Sequence, residues 1–177
     1  MGDDTWSTAS DAVTAREPMS MTSHPMRAWV SAVTPEDIAA IVAIEKVAFS
    51  DPWSARSFRE ALDEPTVYFA CARSDAGEVL GYVVAWFVAD QGEVANIAVA
   101  PAGWGTGIGR ALLDASLSEA RSRGVATVYL EVRDSNERAR RLYRSRQFEE
   151  IGRRRNYYRR PVEDAIVLRR TLKQVDV

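Results

Sequence analysis

Residues 101–110 read Pro-Ala-Gly-Trp-Gly-Thr-Gly-Ile-Gly-Arg and place four glycines between a β-rich run and an amphipathic helical pattern. A glycine-rich loop of this kind directs free backbone N–H groups outward, and the N-terminus of the following helix adds about half a positive charge. The stretch therefore predicts a site for a phosphate or pyrophosphate group. The alternative is a glycine-rich turn that only connects a strand to a helix.

The spacing within this loop excludes two other phosphate-binding motifs. No Gly-Lys-Ser or Gly-Lys-Thr follows the glycines, as a P-loop would require. The pattern Gly105-Thr-Gly107-Ile-Gly109 also differs from the Gly-x-Gly-x-x-Gly of a dinucleotide-binding fold. The glycines alone therefore do not identify the ligand. Its identity has to be inferred from motifs elsewhere in the sequence.

On both sides of the loop the hydrophobic pattern predicts alternating strands and helices. A helical pattern from about 107 to 123 ends at Gly124, and the near-continuous apolar run 127–133 predicts a strand buried on both faces. The other predicted strands cover 26–33, 67–72, 79–88, 93–99, 148–158 and 164–170, and the other helices cover 35–49, 54–62 and 136–145. The result is an α+β fold with a mixed, mostly antiparallel sheet of about seven strands flanked by about four helices.

The composition argues against several classes of function. Cys71 is the only cysteine, so the chain cannot form an internal disulfide. His24 is the only histidine, so the sequence offers almost no material for a histidine-based triad or a histidine zinc site. We expect no metal. The net charge of −2 and the lack of an apolar run near the roughly 20 residues of a membrane span indicate no direct nucleic-acid binding and no membrane partner. The lone cysteine, in a packed strand, suggests a reducing compartment.

The length of 177 residues suits one domain with its own core. Residues 1–25 are rich in Ser, Thr, Asp and Met and lack the order of a signal peptide, so we interpret them as a disordered leader. The domain is predicted over 26–172, and 173–177 form a tail. The translation start could also be one of the later methionines, which are Met19, Met21 and Met26.

Motifs beyond the glycine loop resemble the GNAT acetyltransferase superfamily. These are Asn-Ile-Ala-Val at 96–99, Gly-Ile-Gly-Arg-Ala-Leu-Leu at 107–113, Leu-Glu-Val-Arg-Asp-Ser-Asn at 130–136, and Leu-Tyr at 142–143. Within that superfamily, four segments resemble the RimI family of ribosomal-protein alanine N-acetyltransferases. These are residues 49–53, 130–133, 154–158 and 163–165. The resemblance covers about residues 27–170 and implies the GNAT fold with acetyl-CoA as cosubstrate.

The resemblance also implies where acetyl-CoA binds. Backbone groups of Ile97, Ala98 and Val99 would pair with the pantetheine arm in the manner of an added strand. The pyrophosphate would lie on Gly105, Thr106, Gly107, Ile108, Gly109 and Arg110. Asn136 would contact the cosubstrate, although an asparagine there also suits a plain helix N-cap, and the two roles are compatible.

Two further residues take catalytic roles by resemblance, Glu131 as general base and Tyr143 as general acid. An α-amine with a pKa of about 7.7–8.0 must lose a proton before it attacks a thioester, and a thiolate with a pKa near 8.5 leaves better when it meets a donor. Direct transfer in a ternary complex needs no covalent enzyme intermediate. The alternatives are that Glu131 is a strand residue paired with an arginine and that Tyr143 is a core aromatic.

Four aromatic residues are implied to hold the acceptor, namely Phe49, Trp53, Tyr157 and Tyr158. The two tyrosines are neighbours in a predicted strand, where side chains alternate between faces, so one of them could instead belong to the core. The arginines at 153–155, 159 and 160 suit a solvated face, or a patch that meets an acidic surface.

The chain departs from the family pattern at a few positions. Trp104 stands where the cosubstrate loop usually begins with Gln or Arg, and Gly105 where a polar or basic residue is common. Arg140 replaces an aliphatic residue, and Gln147 stands where a glycine usually ends the helix. Binding through backbone amides should survive these changes, but side-chain help to the phosphates is in doubt.

The predicted function is acetyl-CoA-dependent acetylation of the N-terminal alanine of a small-subunit ribosomal protein, in the cytoplasm, by a monomer or weak dimer. One alternative is a GNAT enzyme that acts on lysine or a small amine. Another is a module that binds acetyl-CoA without catalysis, against which the presence of both Glu131 and Tyr143 argues.

Overall fold

The computed structural model describes residues 28–172. Its strands are β1 (Ala28–Ala32), β2 (Val67–Ser74), β3 (Val79–Val88), β4 (Gln91–Val99), β5 (Thr127–Arg133), β6 (Glu149–Arg159) and β7 (Val162–Thr171). Its helices are α1 (Ile38–Ala48), α2 (Ala55–Leu62), α3 (Ile108–Ser122) and α4 (Glu137–Ser145). The predicted leader, residues 1–25, and the predicted tail lie outside the described residues.

All seven strands form one sheet in the order β1-β2-β3-β4-β5-β7-β6. Only the β4–β5 pair is parallel, and the other neighbours run antiparallel. The prediction of a mixed, mostly antiparallel sheet with four helices is therefore confirmed. Within residues 28–172 no helix has the length and apolarity needed to cross a bilayer.

The two parallel strands at the centre of the sheet pair over only part of their length. Their register runs from Gln91 opposite Thr127 to Val94 opposite Leu130 and ends there. On its other edge β4 continues to pair with β3 as far as Val99. The edge of β4 that faces β5 is thus left without a strand partner beyond Val94, which opens the middle of the sheet.

The helices divide between the two faces of the sheet. One core packs α3 and α4 against the sheet through residues such as Leu112, Leu117 and Tyr143. The other packs α1 and α2 on the opposite face through residues such as Ile41 and Phe58. Most of the predicted element bounds agree with the structure within a few residues.

Strand β5 differs from its prediction. Its apolar sequence was expected to bury both faces, but full burial alternates with half-burial along the strand. Val128, Leu130 and Val132 enter the α3–α4 core, whereas Glu131 and Arg133 lie half-buried on the other face. The prediction was wrong because α1 and α2 cover β2, β3 and part of β4 but do not extend over β5. That uncovered face carries much of the candidate site.

Candidate active site

The glycine loop bends into α3 through two left-handed residues. Gly105 has φ +79° and Gly107, the N-cap of α3, has φ +91°. A Cβ at either position would meet nothing within 4 Å, so the requirement for glycine is conformational rather than steric. The first N–H groups of α3, from Ile108 onward, have no acceptor within the helix and stand at its positive end. The loop has the construction that an anion site requires.

The strand that precedes the loop presents the unpaired edge described above. Ile97, Ala98 and Val99 lie on this part of β4, where the β4–β5 pairing has ended. The indole N–H of Trp104 donates a hydrogen bond of 2.8 Å to the carbonyl of Val99. The guanidinium of Arg138, in α4, lies 5.1 Å from the centre of the Trp104 ring. The residue that departs from the family pattern therefore contacts the predicted cosubstrate edge and is itself 55% exposed.

Helix α4 supplies the two other residues predicted for the cosubstrate side. Asn136 caps the helix, because its Oδ1 accepts a 3.1 Å hydrogen bond from the N–H of Ala139. Tyr143 is 5% exposed, and its ring packs edge-on against Phe148 with centroids 5.9 Å apart. Burial, with a smaller contribution from nearby Tyr158, raises the pKa of Tyr143. The phenol therefore keeps its proton at neutral pH, as a general acid must.

Glu131 lies on the uncovered face of β5. Its side chain is 20% exposed, and a carboxylate oxygen lies 2.7 Å from Nε of Arg154, whose side chain is 60% exposed. Interaction with this carboxylate, followed by burial, raises the pKa of the nearby Tyr157 hydroxyl. The ion pair predicted as an alternative to catalysis is thus present, but it joins the carboxylate to an exposed and displaceable partner.

The two neighbouring tyrosines of β6 both reach β5. Tyr157 contacts Glu131, and the ring of Tyr158 lies 4.0 Å from the guanidinium of Arg133. Burial raises the pKa of Tyr158 to about 12, and Arg133 opposes that rise. Both tyrosines can reach β5 because the pairing register between β6 and β7 shifts between Arg154 and Tyr158.

That shift contains Asn156, which has φ +52° and donates its N–H to Asp164 Oδ1 at 2.9 Å. Three residues of β6, 155–157, stand opposite the single residue 164 of β7, and a bulge of this kind re-aims the side chains around it. The strict alternation that was expected for the two tyrosines therefore does not hold, and neither ring is fully buried.

The loop between α1 and α2 approaches the same region and is held at two points. The backbone N–H of Trp53 donates to Glu45 at 2.9 Å, and Ser50 Oγ lies 2.7 Å from the guanidinium of Arg133. The Trp53 ring packs on Trp86 with centroids 5.6 Å apart. Phe49, the C-cap of α1, packs at the margin of the second core.

A cavity of about 410 Å³ lies over the uncovered part of the sheet. Glu131 and Arg154 line it together with Trp86, Tyr129 and Glu93. Glu93 is exposed, and no ion pair joins it to another side chain within residues 28–172. The described residues contain no group of three or more His, Cys, Asp or Glu placed to hold a metal ion.

The structure thus assembles the predicted residues into two groups. The group predicted as the cosubstrate side contains the edge of β4, the glycine loop, Asn136 and Tyr143. The group predicted as the acceptor side contains Glu131, Tyr157, Tyr158 and the loop 49–53. Glu45, Glu93 and Arg133 also lie around this site and were not predicted as site residues from the sequence. Glu45 occupies an inward position in the helical pattern of α1, which was a visible signal, whereas the positions of Glu93 and Arg133 depend on pairing between distant strands.

Comparison with known proteins gives a consistent picture. Residues 38–148 match the acetyltransferase (GNAT) family. The ribosomal protein bS18-alanine N-acetyltransferase of Escherichia coli (strain K12) is 38% identical over 143 residues, which cover 78% of this chain and 94% of that protein. The N-alpha-acetyltransferase RimI of Mycobacterium tuberculosis is 37% identical over 156 residues, which cover 85% of this chain and 96% of that protein.

Solved structures agree. The crystal structure of the ribosomal-protein-S18-alanine N-acetyltransferase from Escherichia coli is similar to this fold with a TM-score of 0.77 and 34% sequence identity. The similarity covers 85% of this chain and 97% of that chain.

Proposed function

The chain belongs to the GNAT acetyltransferase family, and on that premise we propose that it acetylates the N-terminal alanine of a small-subunit ribosomal protein. The predicted RimI-like family, the fold and the N-acetyltransferase class are confirmed by the similarities above. The names of several relatives give bS18 as the protein that they modify, which supports the choice of acceptor. The observation that carries the proposal is the half-buried Glu131 carboxylate beside Tyr157 on the wall of the cavity.

Acetyl-CoA fits the cosubstrate side in its chemistry. The unpaired edge at Ile97–Val99 offers backbone donors and acceptors to an amide-bearing arm, and the loop at 105–110 offers N–H groups to a pyrophosphate. Asn136 stands at the start of the neighbouring helix. When bound, acetyl-CoA supplies an activated acetyl thioester.

Glu131 takes the proton from the acceptor amine. At neutral pH an α-amine, with a pKa of about 7.7–8.0, is mostly an ammonium ion and cannot attack a carbonyl carbon. The Glu131 carboxylate faces the cavity and accepts this proton directly or through a water molecule. The exposed Arg154 that pairs with it in the structure moves aside, at small cost, when the ammonium group arrives.

Tyr143 donates a proton toward the departing sulfur. Its raised pKa keeps the phenol protonated, and its burial on the α4 side places it apart from the acceptor cavity. The nitrogen–carbon bond forms as the carbon–sulfur bond breaks, and the thiolate receives the phenolic proton. The buried Cys71 takes no part, because it lies fully within the second core.

The acceptor side favours a peptide N-terminus over a lysine side chain. Tyr157 and Tyr158 line one side of the approach to Glu131, and the loop that contains Phe49 and Trp53 lines the other. A lysine ε-amine, with a pKa of about 10.4, holds its proton more tightly than an α-amine, so a single carboxylate deprotonates it less readily.

Thiol release from acetyl-CoA tests the proposal. We would compare a peptide that copies the N-terminus of the host's alanine-initiated ribosomal protein, an N-terminally blocked peptide with one lysine, and a panel of small amines. Rapid release with the first peptide alone is expected. Rapid release with the lysine peptide or with a small amine would contradict the proposed acceptor class.

The variants Glu131→Gln and Tyr143→Phe accompany this assay. Each should cut turnover strongly while acetyl-CoA binding, followed by calorimetry, persists. Binding of acetyl-CoA by the wild type with no turnover of any amine would instead indicate a non-catalytic module.

The setting of the reaction is also part of the proposal. We place the enzyme in the cytoplasm, where ribosomal proteins are made, as a monomer or weak dimer that meets its acceptor without binding nucleic acid directly. The arginines of β6 at 153–155 are exposed and leave room for an acidic protein surface nearby. Light scattering coupled to size exclusion measures the oligomeric state.

A further inference from the structure

A carboxylate that the proposed mechanism does not use is buried beneath the acceptor-side loop. Glu45 lies in the last turn of α1 and is 0% exposed. Burial raises the pKa of its carboxyl group, and hydrogen bonds from Trp53, Tyr82 and Asn96 oppose that rise. The other buried residues of α1 are isoleucines, so Glu45 is the single exception on an apolar helix face. An ionisable group is costly in such a place unless its partners compensate for the lost water.

The two carboxylate oxygens accept hydrogen bonds from three different elements. Oε1 accepts from the backbone N–H of Trp53 at 2.9 Å and from the side-chain amide of Asn96 at 3.0 Å. Oε2 accepts from the hydroxyl of Tyr82, in β3. One oxygen therefore joins the loop 49–53 to β4, and the other holds the carboxylate against the sheet.

Asn96 stands where the cosubstrate edge of β4 begins. The β3–β4 register passes from Val84 opposite Asn96 to Ala85 opposite Val94, so Ala95 is an extra, bulged residue in β4. The residues that follow Asn96 are the stretch proposed to pair with the pantetheine arm. The other donor to Oε1, Trp53, belongs to the loop proposed to hold the acceptor.

We propose that Glu45 is a positioning residue that fixes the acceptor loop and the cosubstrate edge of β4 relative to each other. This inference rests on the proposed function, because the two parts it joins are the two substrate-binding parts of that reaction. A single oxygen with two donors sets the spacing between them. The reacting amine and the acetyl carbon must be held about 3–3.5 Å apart, and a misplacement of about 1 Å can cost about 10²-fold in rate, so a shared anchor serves the reaction directly.

Two features separate this role from simple stabilisation. A buried apolar residue of similar volume would stabilise α1 as well as a carboxylate does, or better. The donors also come from a loop backbone and a strand bulge, which are the irregular parts of the fold and have the fewest other constraints. Of the three donors, only the Tyr82 hydroxyl comes from a regular part of a strand.

The chemistry of the carboxylate suggests a sharp set of variants. Glu45→Gln can keep an oxygen at the Oε1 position, so both the Trp53 and the Asn96 bonds survive, while its amide faces Tyr82. Tyr82→Phe removes only the Oε2 donor. Glu45→Leu removes every acceptor at nearly the same volume. Ile41→Ala is the matched control, because Ile41 is fully buried in the same helix and lies outside the hydrogen-bonded group.

Two measurements are made on each folded variant. The first is the hydrogen exchange of the Trp53 amide by NMR, which requires no substrate. The second is steady-state kinetics, with KM and kcat for the acceptor peptide and KM for acetyl-CoA. Glu45→Leu should speed Trp53 exchange and lower kcat/KM for the peptide by about tenfold or more, as expected when hydrogen bonds to a charged group are lost. Glu45→Gln and Tyr82→Phe should stay within about threefold of wild type.

The control decides between positioning and stability. Ile41→Ala should lose thermal stability and keep the kinetic constants and Trp53 exchange near those of the wild type. If Glu45→Leu behaves like Ile41→Ala, or if Glu45→Gln is as impaired as Glu45→Leu, the positioning role is wrong.

Two further outcomes are covered by an additional variant and by the exchange measurement. If Glu45→Leu does not fold, Asn96→Ala removes one of the two Oε1 donors and should raise KM for acetyl-CoA without changing Trp53 exchange. An unchanged KM would overturn the proposal. If the wild type does not acetylate the peptide, the proposed function fails, and Trp53 exchange still tests whether Glu45 orders the loop.

Discussion

The cosubstrate side and the acceptor side of this enzyme are built from different materials. The cosubstrate side consists mainly of backbone, namely the left-handed glycines 105 and 107, the N-terminus of α3 and an unpaired edge of β4. The acceptor side consists of side chains such as Glu131 and Tyr157 that come together from separate strands. A backbone site depends little on side-chain identity, so we expect it to tolerate Trp104, whereas a side-chain site depends on bulges and buried anchors elsewhere.

This difference has a consequence for mutations. Changes on the acceptor side should act through the identity of a functional group, and changes on the cosubstrate side should act through backbone conformation. The expected effects of such changes decrease from loss of the Glu131 carboxylate to a relief of backbone strain at the end of α4.

The largest effect is expected for Glu131→Gln. Loss of a general base costs about 10²- to 10⁴-fold in rate, so kcat/KM for the peptide should fall by that factor, while the Kd for acetyl-CoA changes by less than about twofold. Glu93→Gln is the control, since Glu93 lines the same cavity with no ion pair among the described residues. Glu93→Gln should lose less than about tenfold. Equal losses in the two variants would contradict the assignment of the base.

Gly107→Ala should weaken acetyl-CoA binding by about tenfold, because a left-handed φ costs an alanine about 1–2 kcal/mol and the loop relaxes away from it. Calorimetric titration with acetyl-CoA measures the change. Gly77→Ala is matched to it, since Gly77 has φ +83°, open space around its Cα and a place in the β2–β3 turn. That control should lose similar stability and keep its affinity, and a loss of affinity there would point to a general effect of stability.

Asn156→Ala should raise KM for the peptide by about threefold to tenfold, since alanine disfavours the left-handed conformation that holds the β6 bulge and aims both tyrosines. Steady-state kinetics on the peptide measures it. Asn156→Gly restores the conformational freedom and should recover most of the affinity. A glycine variant as poor as the alanine variant would indicate that the Asn156 side chain itself, rather than the bulge, is needed.

The pH profile tests the proposed role of Tyr143 apart from the ionisation of the acceptor amine. The rate should rise as the acceptor amine loses its proton, with a midpoint near its pKa of about 7.7–8.0. Since burial raises the pKa of Tyr143 above the ordinary tyrosine value of 10.0, its phenol stays protonated as the pH rises, and kcat should not fall before about pH 9.5. Tyr143→Phe should keep the rising limb at a lower rate. A fall that begins below pH 9 in the wild type only would contradict a buried, protonated Tyr143.

The smallest effect is expected at the end of α4. Gln147 has φ +61° where a glycine would be unstrained, so Gln147→Gly should raise the free energy of unfolding by up to about 1 kcal/mol and leave activity unchanged. Urea denaturation measures the gain. Gln147→Ala, which cannot adopt this φ more easily, should show no gain. A change in kcat for the glycine variant would indicate that the helix end matters to the site.

Much of the fold and half of the site could be predicted from local sequence. Glycine spacing and hydrophobic period indicate the phosphate loop, the strands and the helices, because each depends on residues close together in the chain. The half-exposure of β5 could not be predicted, because it results from how far α1 and α2 reach across the sheet.

The missed features share a physical cause. Glu45 meets Asn96 across 51 positions of sequence, and Arg133 meets Ser50 across 83, so no local pattern encodes either contact. The shared direction of Tyr157 and Tyr158 depends on a bulge around Asn156, and nothing in the alternating pattern indicates the two extra residues that form it. The sequence marks these residues as unusual for their positions, and only the fold shows what they contact.

The most direct test of the account is the location of the acetyl group on one peptide that offers both amines. The peptide begins with a free N-terminal alanine, carries a lysine further along, and is incubated with acetyl-CoA and the wild-type enzyme. Fragmentation mass spectrometry then assigns the modified nitrogen. The account predicts acetylation of the alanine α-amine with the lysine left free, and acetylation of the lysine at a comparable rate would contradict it.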